Sequence, residues 1–107
     1  MNILTDTPKP LRSNVKKYLL DAMRALDKRE RLEDHNPDRL LYTNSAYGHI
    51  DRLHGFYHAL FNMNIIQYPI HYIDIDYPSE IINIRWEESL NSRHTQIIAF
   101  DELEGWE

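Results

Sequence analysis

The alternation of apolar and polar residues changes period once along the chain. Between about Leu11 and Arg31, the residues Leu11, Val15, Tyr18, Leu19, Ala22, Met23 and Leu26 recur at about 3.6 residues per turn. Lys16, Lys17, Asp21, Arg24, Asp27 and Lys28 fill the opposite side. This spacing predicts a first helix, with Lys28, Arg29 and Arg31 suited to the negative end of its dipole. Asn36-Pro37 is a breaker, and Asn36 can cap a short turn with Pro37 in its first position. Asn44 or Ser45 then suits the cap of a second helix over about Ala46 to Asn62. Its apolar side is Ala46, Ile50, Leu53, Tyr57, Leu60 and Phe61. Gly48 and Gly55 lie on the other side, where they permit a kink or a close approach.

From Ile65 the period falls to two. Residues 65–77 are rich in Ile and Tyr and read as a strand that either lies at an edge or begins after Pro69. Tyr77-Pro78-Ser79-Glu80 is a turn. Ile81 to Glu87 is a second strand, with Ile82, Ile84 and Trp86 on one face. Asn91-Ser92 is the next turn and Thr95 to Phe100 a third strand. Short connections favour an antiparallel meander. The expected fold is α+β, two helices packed on a three-stranded antiparallel sheet in the order α-α-β-β-β. Residues 1–10 read as an extended lead-in and 101–107 as an acidic tail of one domain spanning 1–107.

The first strand is anomalous. Strict alternation puts Ile66, Tyr68, Ile70 and Tyr72 on the same face as Asp74 and Asp76. Ile65, Pro69, Ile73, Ile75 and Tyr77 take the other, so both faces carry apolar groups. A bulge near Pro69 exchanges the faces. Otherwise both are covered, and the second cover is another copy or a partner.

Composition narrows the class of protein. The 107 residues suffice for one domain, and none is cysteine, so disulfides and thiolate chemistry are excluded. The start lacks an apolar signal-peptide core, and no stretch has membrane-span length. The expectation is a cytoplasmic protein. The net charge of −5 is unevenly spread. Residues 1–32 carry eight Lys/Arg against four Asp/Glu, 33–64 two against four, and 65–107 two against nine. Such a gradient implies an interaction surface at one end or internal pairing of the two ends.

Three candidate chemistries follow. Asp51, His54 and His58 project from one flank of the second helix, a spacing that suits a metal-dependent hydrolase. Gly55 follows His54, however, so the general base of an HExxH motif is missing. Lys17, Arg24 and Lys28 form a basic stripe on the first helix that suits phosphates, though the acidic chain makes direct nucleic-acid binding the weaker reading. Asp74 and Asp76 form a carboxylate pair, but residues 65–107 offer only Arg85 and Arg93 as cations, too few for phosphoryl chemistry. The leading expectation is a non-enzymatic protein-interaction module without cofactors, an inhibitor or adaptor. It acts on another protein, such as one that handles nucleic acid, through Tyr68, Tyr72, Asp74, Asp76, Glu80, Trp86 and Glu87. Trp106 and the tail carboxylates belong to the same acidic, aromatic third. A homodimer is compatible with the interaction, hydrolase and nucleic-acid readings alike. In texture the chain resembles small, acidic, cysteine-free accessory proteins of phages and mobile elements.

Overall fold

Two long helices lie side by side and cover one face of a three-stranded antiparallel sheet. The computed structural model describes residues 1–107. The elements are α1 (Ile3–Asp6), α2 (Lys9–Glu30), α3 (Asp38–Asn62), β1 (Ile70–Asp76), β2 (Ile81–Ser89), β3 (Ser92–Ala99) and α4 (Phe100–Glu104). The sheet order is β1-β2-β3 with both pairs antiparallel, as the meander predicts. No helix is long and apolar enough to cross a membrane.

The helical stripes pack as their spacing requires. Val15, Leu19, Ala22, Ala25 and Leu26 are buried on α2, and Ala46, Ile50, Leu53, Tyr57 and Leu60 on α3. Ile73, Ile75, Ile82, Ile84 and Ile98 meet them from the sheet in one continuous core. Truncating a fully buried isoleucine such as Ile82 to alanine costs about 2–5 kcal/mol.

The second helix begins earlier than expected. Asn36 accepts from the Asp38 N–H at 2.9 Å, so the cap is where the breaker suggests. The turn and the helix it leads into are nevertheless one element, with no cap at Asn44 or Ser45. Thr43 turns its hydroxyl back to the Arg39 carbonyl at 2.9 Å, which satisfies it inside the helix. Arg39 donates to the carbonyls of Arg29 and Leu32 at 2.7 and 2.9 Å. The Arg29 carbonyl also accepts from the Leu32 N–H at 3.1 Å, so the guanidinium adds to the capping of α2 and joins it to α3.

Both chain ends form short helices and pack on the domain, where the sequence suggested an extended lead-in and an acidic tail. Asn2 caps α1 by accepting from the N–H of Leu4 at 3.0 Å. Ile3 is buried and donates its N–H to the Gln96 side chain of β3 at 2.7 Å. Trp106 is buried, and its indole N–H donates to the Leu4 carbonyl at 2.6 Å. Arg12 lies over that indole and donates to the carbonyls of Thr7, Thr5 and Glu107. Lys16 donates to the Glu104 carbonyl at 3.0 Å. The basic start of α2 thus binds the acidic end of the chain.

The anomalous strand resolves into a bulge. β1 starts after Pro69, and its register against β2 shifts between Ile70 and Tyr72. His71 is the extra residue. Ile70, Ile73 and Ile75 therefore all face the core, and Tyr72 is set on the outer face with Asp74 and Asp76.

Candidate interaction surface

The sheet face away from the helices is open. By register it carries Tyr72, Asp74 and Asp76 from β1, Asn83, Arg85 and Glu87 from β2, and Arg93, Thr95 and Ile97 from β3. Tyr72 is 44% exposed and Ile97 60%. The charges on this face are polarised along the strands. Toward the β2–β3 hairpin, Glu87 holds Arg93 at 3.0 Å and faces His71 at 3.6 Å. Arg85 lies over the Tyr72 ring, 4.9 Å from its centroid. These residues line a recess of about 280 Å³. At the opposite end Asp74, Asp76 and Glu80 enter no ion pair with Lys or Arg, all such pairs lying elsewhere. Asp76 accepts only from the Ser79 N–H at 3.3 Å, within the turn.

Of the seven residues expected to form one surface, Tyr72, Asp74, Asp76 and Glu87 share the outer face, and Glu80 is exposed in the turn beside it. Tyr68 and Trp86 do not belong there. Tyr68 precedes the strand and packs against the core. Trp86 is 5% exposed and stacks on His94 on the helix-covered side. Neighbours on a strand point opposite ways, so Trp86 and Glu87 cannot share a face. Trp106 is likewise taken up by the core.

Two features of the turn region escape pattern reading. Tyr77 donates to the Asp27 carboxylate of α2. That hydrogen bond, with burial, raises the phenol above its usual range. Glu80 adopts a left-handed backbone, with φ of 55°, and its carbonyl accepts from the Phe100 N–H at 3.1 Å. No glycine marks that conformation in the sequence.

The histidine flank is not gathered into a metal site. No group of three His, Asp or Glu side chains converges as a bound ion requires. His54 lies 2.8 Å from the Ile70 carbonyl through Nε2. A carbonyl only accepts, so Nε2 carries the proton and His54 anchors the start of β1. Asp51 and His58 are exposed. On α2, Lys17, Arg24 and Lys28 are exposed; Arg24 pairs with Asp21 at 3.5 Å, and Lys28 lies over Tyr42. Ser92 meets His94 Nε2 at 3.0 Å, but Glu88 meets the same nitrogen at 3.3 Å. A relay needs the acid on the other ring nitrogen, so this hairpin pair is not a nucleophile and its base.

Comparison with protein-family models, curated proteins and solved structures returns no match, so the reading of the surface rests on its residues alone.

Proposed function

We propose that this chain is a small protein-interaction module, acting as an inhibitor or adaptor through the acidic end of its open sheet face. The observation that carries the reading is the set of carboxylates Asp74, Asp76 and Glu80 without an ion-pair partner, on or beside the same face as the half-exposed Tyr72, whose ring lies under Arg85. Carboxylates on a rigid sheet attract a basic surface at long range and set its orientation, and the aromatic ring supplies contact area. The partner chemistry is therefore a positively charged protein surface, such as the channel of a protein that handles nucleic acid. Absence of cysteine fits a cytoplasmic setting.

The test is affinity capture with the immobilised chain, eluted by a salt gradient. The reading expects one specific protein with a basic surface, released as salt rises and the attraction is screened. Capture that resists salt, or capture of acidic proteins only, contradicts it.

A further inference from the structure

We propose that the groove between α2 and α4 seats an amphipathic basic helix of the partner protein, about two turns long, with apolar side chains on the floor and Lys or Arg at the rim. The inference rests on the function proposed above for the sign of the partner's charge. It adds a second point of contact, reached through Glu80, to the carboxylates of the sheet face.

Two short rows build the groove. Lys16, Leu20 and Met23 recur at i, i+4 and i+7 on α2, which sets them in one line about 10 Å long. Phe100 and Leu103 of α4 line the other side at i and i+3. The Phe100 N–H donates to the Glu80 carbonyl at 3.1 Å, which ties the β1–β2 turn to the start of α4. Leu103 is buried, and Leu20, Met23 and Phe100 are half-buried, so the floor is apolar. The groove holds about 500 Å³, the largest recess on the chain. A cavity of about 150 Å³ takes one benzene, so several side chains fit.

Charge selects the occupant. Glu80, Asp101 and Glu104 stand at the rim, and none of the three carboxylates enters an ion pair. Lys16 is the one cation among the lining residues, and it is taken within the chain. Its Nζ donates to the Glu104 carbonyl at 3.0 Å and lies 4.0 Å from the Glu107 carboxylate. The rim therefore repels nucleotides, fatty acids and other anions, and the floor gains little from a wholly polar cation. A ligand that satisfies both is cationic and apolar together.

Shape selects a protein segment over a small molecule. The three rim residues are exposed, so the groove is open along its length. Sites for small ligands bury most of the ligand surface, which an open groove does not. A helix laid along α2 places its own i, i+4 and i+7 side chains on the floor and carries cations on its flanks.

The probe is a fluorescent peptide of about fourteen residues, alanine-based, with leucines at i, i+4 and i+7 and arginines beside them. A second peptide replaces the leucines by serine and keeps the charge. Anisotropy measures binding to the whole chain at up to about 1 mM, and amide NMR shifts locate it. The proposal expects the leucine peptide to bind at least about tenfold more tightly than the serine peptide, with shifts centred on Leu20, Met23, Phe100 and Leu103. Leu20→Lys and Asp101→Lys should each weaken it at least about tenfold with circular dichroism unchanged. Asp74→Lys with Asp76→Lys, on the outer sheet face, should leave it within about threefold. If Leu20→Lys does not fold, the exposed Asp101→Lys and the peptide pair decide. Absence of binding, equal binding of the two peptides, shifts centred elsewhere, or wild-type affinity in a folded groove variant overturns the proposal. Groove shifts that grow with the concentration of the chain alone assign the groove to a second copy and overturn it too. A captured partner that needs Asp74 and Asp76 but binds Leu20→Lys as it binds wild type overturns the groove and leaves the proposed function standing.

Discussion

The hydroxyls of Thr7 and Tyr57 lie 2.9 Å apart across 50 positions of sequence, and both residues are completely buried. Thr7 also meets the Ile3 carbonyl at 2.6 Å. A threonine hydroxyl has one proton, which this carbonyl claims, so Tyr57 donates to Thr7. The pair ties the start of the chain to the middle of α3.

The direction of that bond makes the two deletions unequal. Thr7→Val leaves the Tyr57 donor buried without a partner and costs about 1–3 kcal/mol. Tyr57→Phe removes the donor and leaves Thr7 bonded to Ile3, at a cost of about 1 kcal/mol or less. Urea unfolding of the two variants checks the order. Equal losses, or a larger loss in Tyr57→Phe, contradict the assigned donor.

Alkaline stability follows from the same phenol. Burial pushes Tyr57 from 10.0 up to about 12. The folded state therefore holds its proton more tightly than the unfolded chain. Its contribution is whole below pH 10 and is lost as pH rises toward 12, on the order of 2–3 kcal/mol in total. Tyr77, raised by its bond to Asp27, acts in the same direction. Unfolding followed from pH 8 to 12 should show a decline that is flatter in Tyr57→Phe and flatter still in the double variant with Tyr77→Phe. Parallel curves for all three count against the burial argument.

Gly48 and Gly55 offer a gain. α3 runs through both, and a Cβ at either position meets no atom within 4 Å. No close approach within the chain explains them. Gly48→Ala and Gly55→Ala should each stabilise by up to about 1 kcal/mol, a rise of several degrees in melting temperature. A loss in either variant means that the glycine meets something the isolated chain does not contain.

Glu80 should behave in the same sense for a different reason. A left-handed backbone costs a side-chain-bearing residue about 1–2 kcal/mol, which glycine avoids. Glu80→Gly should melt higher than wild type, while Glu80→Ala gains nothing from backbone relief. Scanning calorimetry separates the two. A glycine variant less stable than the alanine one contradicts the assigned conformation.

The sequence declared most of this fold where one physical rule acted alone. The stripes of α2 and of the second half of α3 bury most of the residues their spacing names, with Leu11, Tyr18, Met23 and Phe61 partly buried against the core. The doubled apolar pattern of the first strand allowed a bulge or a covered second face, and the structure has the bulge, at His71. Legibility failed where a distant partner decides. Asn44 and Ser45 have capping chemistry, yet the helix continues because Thr43 is satisfied by the Arg39 carbonyl and Arg39 closes the end of α2. The four residues of α1 and the segment around Trp106 show no periodicity; Gln96, Tyr57 and the Leu4 carbonyl order them. For the surface, strand parity alone removes Trp86 from the face that holds Glu87. The polarity of that face was not visible, because it depends on which strand ends lie together.

The most direct measurement is the affinity of the captured partner for wild type and for two charge reversals. Asp74→Lys with Asp76→Lys alters the acidic end of the sheet. Asp51→Lys alters an exposed carboxylate on α3 and serves as the control. The account predicts binding at least about tenfold weaker for the sheet variant, a loss of about 1.4 kcal/mol or more, with the control unchanged. Equal affinity for wild type and the sheet variant contradicts it.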